Sequence, residues 1–267
     1  MSSTLWLVGA GNMGGAMLRG WLGQGMSPDR ITVIDPFVPS VPDGVALERT
    51  IPEGAAPDIL VLAVKPQQLA AVRPSFAALA GKPRLLISVL AGVEVETLRA
   101  ATGAATVVRA MPNLPASIGR GVTVLHSPDG SDALRAEAAA LMAPLGQVEW
   151  IAQEALFDPV TALSGSGPGF VFRFIDALAE AGAALGLEPE QARRLAIRTV
   201  EGAAILAAGS DETPATLADR VASPGGTTRE GLNVLDEGQA LKRLVHHTLE
   251  AASRRSAELA AAARNQS

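Results

Sequence analysis

Six residues near the start, Gly9-Ala10-Gly11-Asn12-Met13-Gly14, restrict the possible folds more than any other stretch of this chain. They follow an apolar run, Leu5 to Val8, and precede a segment that carries Ala16, Met17 and Trp21. In a strand, turn and helix order the first two glycines allow a tight turn and close backbone approach to a pyrophosphate. The helix start then supplies unpaired N–H groups and a partial positive charge. The bare G-x-G-x-x-G spacing is a weak signal, but this context makes it a dinucleotide site built on Gly9, Gly11 and Gly14.

The first ~150 residues continue this alternation. Strands are predicted at Leu5 to Val8, Ile31 to Ile34, Ile59 to Val64, Leu85 to Leu90, Thr106 to Ala110, Val122 to Leu125 and Gln147 to Ile151. Their hydrophobicity is continuous rather than alternating, as strands buried on both faces require, so a mostly parallel sheet flanked by helices is expected. After Ile151 the strand runs stop and alanine-rich segments at helical spacing take over. Pro189 and Thr213-Pro214 are read as helix openings, and Gly209 as a stop. The expected fold is an α/β Rossmann-like, doubly wound N-terminal domain over residues 1–152, plus an all-α C-terminal domain over 153–267. Small residues on several sides of the late helices point to an obligate oligomer.

The second predicted strand ends at Asp35, where an acidic side chain can accept hydrogen bonds from the adenosine ribose and repel a 2′-phosphate. That reading favours NADH; equally, Asp35 could cap the turn before Pro36. Ligands on open parallel sheets lie beyond the carboxyl ends of the strands, which brings in Ala63, Val64, Lys65 and Pro66 and, after the next strand, Ala91 and Gly92. Lys65 stands out because the 22 basic residues include only three lysines, Lys65, Lys82 and Lys242. It is either a solvated loop residue or a compact cation near the cofactor.

Several function classes drop out. The net charge is -5 without a Lys/Arg cluster, which argues against a nucleic-acid partner. Purely aliphatic runs such as Ile59 to Val64, which none exceeds in length, are far short of the roughly 20 residues a membrane span needs. Cysteine is absent, which excludes disulfides and thiolate metal ligands, and no metal site is expected. The opening MSSTLWLVGAG has no basic leader and reads as a first strand rather than a secretion signal, so a cytoplasmic location is expected.

Two further glycine-rich motifs, LSGSGPG (Leu163 to Gly169) and SPGGTT (Ser223 to Thr228), each stand before a helical stretch. The N–H groups of Gly225, Gly226 and Thr227 could form a nest for a carboxylate, or these could be plain helix caps and turns. Taken with GAGNMG, AVKPQ and MPNLP, in this order and spacing, they resemble the pyrroline-5-carboxylate reductase family over essentially the whole chain.

The resemblance implies NADPH or NADH as cofactor, with contacts from Val8, Gly9, Ala10, Gly11, Asn12, Met13 and Gly14, from Ala63 to Pro66 and from Ala91 and Gly92, and a small cyclic imino acid as substrate. It also implies a C-terminal domain that dimerises, and a ring of dimers, a decamer, as the larger assembly. Substrate contacts carried over from it are Glu154, Ser223, Gly225, Gly226, Thr227 and Thr228, with Thr228 at the ring nitrogen as the catalytic residue. For Glu154 the alternative is that it fixes its loop. Thr50 and Arg220 stand where family members often carry asparagine, which touches the choice between NADPH and NADH.

The residue inventory suits an imine. Reducing a ketone calls for an acid such as Tyr or His, or a metal, at the developing alkoxide. Tyrosine is absent, and His126, His246 and His247 lie outside the glycine motifs and read as structural or surface groups. A protonated imine needs little more than orientation and a nearby hydride. The competing readings are a reductase of another cyclic imino acid, a 3-hydroxy acid dehydrogenase relying on Lys242, and a non-enzymatic nicotinamide-binding protein.

Overall fold

Four-residue runs without a polar side chain, such as Ile59–Leu62, need apolar neighbours on both faces, and the computed structural model shows how they find them. It describes residues 3–264. Eight strands form one sheet: β1 Leu5–Val8, β2 Ile31–Ile34, β3 Ala46–Glu48, β4 Ile59–Leu62, β5 Leu85–Ser88, β6 Thr106–Pro112, β7 Gly121–His126 and β8 Gly146–Trp150. Their order is β3-β2-β1-β4-β5-β6-β7-β8, with every neighbouring pair parallel except the antiparallel β6–β7. The chain winds outward one way from β1 to β3, then restarts at β4 on the other side of β1, so the β1–β4 junction is a topological switch point.

The helices of this region are α1 Asn12–Gly23, α2 Leu69–Ala77, α3 Val95–Thr102 and α4 Asp132–Met142. Alternate strand residues feed two cores. Ile59, Val61, Leu85 and Ile87 pack with Met17 and Trp21 of α1 and Leu141 and Met142 of α4, while Leu60, Leu62 and Leu86 pack with Phe76 of α2 and Leu98 of α3. Trp21 is buried with its indole N–H donating to the Leu141 carbonyl at 2.6 Å, so its one polar atom is satisfied inside the first core.

The seven predicted strands are present, β1 and β2 with the bounds expected and the other five with shifted ends, and β3 is an eighth that the sequence reading lacked. Ile59 to Val64 and Leu85 to Leu90 were expected as strands throughout, but the ladder stops at Leu62 and Ser88. The remaining residues are apolar because they wall a cavity described below.

Among the described residues helices alone follow: α5 Phe157–Val160, which runs into a π-helical turn over Thr161–Gly165, then α6 Gly167–Ala184, α7 Pro189–Ala208, α8 Pro214–Arg220, α9 Thr227–Asp236 and α10 Ala240–Arg264. Pro189 and Pro214 occupy first-turn positions behind the caps Glu188 and Thr213, and Gly209 ends α7, as their residue types dictate. Among the described residues no helix is long and apolar enough to cross a membrane.

The chain forms two compact units. One comprises residues up to Gly165 together with those from Ala252 onward, and the other runs from Ser166 to Ala251. The change of sequence pattern at 152/153 therefore precedes the division seen in the contacts, because α5 and the π-helical turn stay with the sheet. The end of α10 returns to it, with Ser256 Oγ donating to Asp158 Oδ1 at 2.7 Å.

Candidate active site

The glycine loop sits between the carboxyl end of β1 and α1. Gly9 has φ +92°, and a Cβ there would lie 2.8 Å from the backbone of Ala63. A Cβ on Gly14 would come 2.0 Å from the Gly9 carbonyl oxygen, whereas one on Gly11 would meet nothing within 4 Å. Gly9 and Gly14 are thus required by the protein's own packing, and Gly11 borders open space. No side chain caps α1 at Gly11, so its first amides are left for a ligand. These features fit the pyrophosphate of a dinucleotide.

Asp35 closes this end of the crevice in a specific way. Its Oδ2 accepts from the Ala10 amide at 2.8 Å, and its Oδ1 accepts from the amides of Phe37 at 2.8 Å and Val38 at 3.1 Å. Burial alone would raise its pKa, but those three N–H donors and the nearby Arg49 outweigh it and hold the carboxyl below the usual range. Of the two sequence readings, the turn cap is realised, and Asp35 also ties the glycine loop to the β2 exit. The Arg49 guanidinium donates to the carbonyls of Asp35 and Val38.

On the other side of the switch point lies a cavity of about 210 Å³. Its walls are Met13 of α1, Ala63 and Val64 beyond β4, Val89 to Ala91 beyond β5, Arg109 to Pro112 of β6, and Phe157 of α5. Ala63, Val64, Ala91 and Met13 were expected near a cofactor and are brought together here. Lys65 is exposed beside a 3₁₀ turn over Pro66–Gln68, its amide donating to Gln68 Oε1 at 3.0 Å. Gly92 turns with φ +73°.

Arg109 was not anticipated, although a lone charge inside the apolar stretch TVVRAMP was the signal to notice. Its side chain is 10% exposed, its Nη1 donates to Glu154 Oε1 at 2.7 Å, and its guanidinium carbon lies 4.2 Å from the Phe157 ring centroid. The same Glu154 oxygen accepts from the Val95 amide at 2.9 Å, at the start of α3. Of the two readings of Glu154, this geometry matches the one in which it fixes its surroundings. His126 is buried, its Nδ1 3.1 Å from the Ile151 carbonyl oxygen, and exposed His246 pairs with Glu250, so both have structural partners.

In the second unit, the SPGGTT loop leads into α9. Gly225 has φ +69°, and a Cβ on Gly226 would lie 2.6 Å from Ser223 Oγ. Gly226 occupies the cap position without a side-chain hydrogen bond, leaving the first α9 amides, from Thr227 and Thr228 onward, unpaired within the helix. Thr227 and Thr228 are exposed at its first turn. Ser223, Gly225, Gly226, Thr227 and Thr228 thus lie together around one helix start.

This strand order with such a glycine cradle defines a dinucleotide-binding fold, and the family matches place the chain among the dinucleotide-dependent oxidoreductases. Residues 4–92 match the family model for "NADP oxidoreductase coenzyme F420-dependent", and residues 154–259 match that for pyrroline-5-carboxylate reductase dimerisation. The chain belongs to the pyrroline-5-carboxylate reductase family. It is 37% identical to the enzyme of that name from Pseudomonas aeruginosa, over 95% of each chain. A solved structure of the Coxiella burnetii reductase superposes with a TM-score of 0.87 at 33% identity, covering 97% of this chain and 99% of that one. The Plasmodium falciparum enzyme, solved with NADP bound, does so at 0.75 and 28%, covering 96% and 97%.

Proposed function

We propose that this protein reduces 1-pyrroline-5-carboxylate to L-proline with NADH or NADPH. The observation that carries the proposal is the uncapped start of α9, where backbone amides suited to a carboxylate adjoin the Thr228 hydroxyl. In this reading the Ser223 to Thr227 loop grips the substrate carboxylate and Thr228 hydrogen-bonds the ring nitrogen. The bound nicotinamide supplies hydride from C4. As the hydride bonds to the imine carbon, the C=N π electrons pass to the already protonated nitrogen, giving the secondary amine. The chain's part is to hold and orient, which is what a pre-protonated imine requires.

At the adenosine end, the ionised Asp35 carboxylate disfavours a 2′-phosphate, and Arg49 is already engaged by two carbonyls. This supports NADH as the preferred nucleotide. A cytoplasmic setting belongs to the same reading.

On α6, Phe170, Phe174 and Leu178 recur every fourth residue along one exposed face and Phe172 is exposed on the opposite side, more large apolar surface than one helix normally shows to water. Burial in a homodimer accounts for it, and a decameric ring of dimers is the larger assembly included in the proposal. Sedimentation velocity distinguishes dimer from decamer.

The deciding assay follows the loss of NADH and, separately, NADPH absorbance on mixing protein with 1-pyrroline-5-carboxylate. Rapid oxidation of either, with proline as product, is expected. Binding of nucleotide without oxidation of either would refute the activity.

A further inference from the structure

The first unit contains an ion pair at the edge of its cavity that neither the glycine cradle nor substrate capture explains. Arg109 is the one charged side chain lining that cavity, and it is buried to within 9% of full exclusion from solvent. It comes from the middle of β6, between Val108 and Ala110, where an apolar residue would pack without desolvation cost. Its charge is held by Glu154 and by the face of Phe157. Glu154 is fixed in turn by the Val95 amide, so β6, the start of α3 and the turn before α5 converge on one carboxylate oxygen.

The dinucleotide spans the switch point, with the adenosine end at Asp35 beyond β2. Its nicotinamide end then falls over β4, β5 and β6, at this cavity. In the reduced nucleotide that ring is neutral, and in the oxidised one it carries a positive charge. A bare guanidinium in the wall would repel the oxidised ring while leaving the reduced one nearly unaffected.

We propose that Glu154 is a positioning residue that neutralises Arg109, so that the cavity accepts the oxidised and reduced nicotinamide with comparable affinity. This assigns Glu154 to the cofactor's charge state rather than to the substrate, and it rests on the reading of the cavity as the nicotinamide site. Arg109 with its carboxylate in place is a rigid, net-neutral wall, and without it becomes a fixed cation.

Glu154→Gln tests this, because the amide oxygen can still accept from Val95 and Arg109 while the charge is lost. Dissociation constants of NAD+ and NADH, and of NADP+ and NADPH, are measured by titration for the wild type, Glu154→Gln, and the double variant Arg109→Met/Glu154→Gln. The oxidised-to-reduced ratio is expected to rise about tenfold in Glu154→Gln, the size given by unit charges roughly 10 Å apart at an effective dielectric near 20. It should return towards the wild-type ratio in the double variant, where both charges are gone. An equal change in both forms, or no restoration in the double variant, would overturn the inference and leave Glu154 as packing alone. A wild-type protein that binds no nicotinamide nucleotide would overturn the reading of the crevice, and the inference with it.

Discussion

Replacing Asp35 by alanine removes one carboxylate and strands three donors, the amides of Ala10, Phe37 and Val38. A hydrogen bond to an ionised acceptor contributes about 1.5–3 kcal/mol net, but donors that can reach water recover most of it. All three bonds are only part-buried, so water recovers a share of each when the carboxylate is removed. The expected loss is therefore about 2–3 kcal/mol, shared among the three donors. It is read from urea unfolding at fixed protein concentration, since dimerisation would otherwise enter the result.

A pH series adds a check of sign. The folded-state pKa of Asp35 is depressed, so its stabilisation is complete above the unfolded value, near 3.9, and fades as pH falls through the folded one. The gap between wild type and Asp35→Ala should thus be constant from about pH 5 to 7 and close below about pH 4. The same variant should move the NADPH-to-NADH activity ratio upward. A stability loss under about 0.5 kcal/mol at neutral pH, or a gap that does not narrow in acid, would refute the assignment of Asp35 as the clamp on the glycine loop.

Other variants separate fold from function. Gly11→Ala should melt like the wild type, because its Cβ meets no protein atom, yet weaken nucleotide binding by about tenfold or more by intruding on the pyrophosphate path; unchanged affinity would show that the path lies elsewhere. Thr228→Ala should lower turnover about 10²-fold or more while leaving the nucleotide dissociation constant within about twofold, and wild-type turnover would remove Thr228 from the chemistry. Phe174→Asp places a charge on the exposed apolar α6 face and should convert the oligomer to monomer in sedimentation, a result that an unchanged mass would contradict.

The sheet was legible because burial on both faces leaves an unmistakable run of aliphatic residues, as at Ile59–Leu62 and in the Leu85, Leu86 and Ile87 of β5. β3 was not, since Ala46–Glu48 is short, lies at the sheet edge and has a single large apolar residue. Strand ends were misread where hydrophobicity served something else: Val64 and Leu90 are apolar because they wall the cavity, not because they extend a ladder. The glycine cradle could be read from spacing, because the need for missing side chains is local. The Arg109–Glu154 pair joins residues 45 apart through the tertiary fold, and nothing in a single sequence indicates which carboxylate answers a buried arginine.

The passage of α10 from one compact unit to the other bears on how the protein is made. The sheet and its glycine loop are synthesised first, but the contact from Ser256 to Asp158 comes from the last stretch of the chain. At about 5–20 residues per second, roughly 5–20 s of translation separate the two. Throughout that interval the nascent nucleotide-binding unit lacks its final helical segment, and a chaperone that shields apolar surface has its longest opportunity there. Ribosome-bound chains halted just before Ala252 should accordingly be cut by protease within the first unit more readily than released protein.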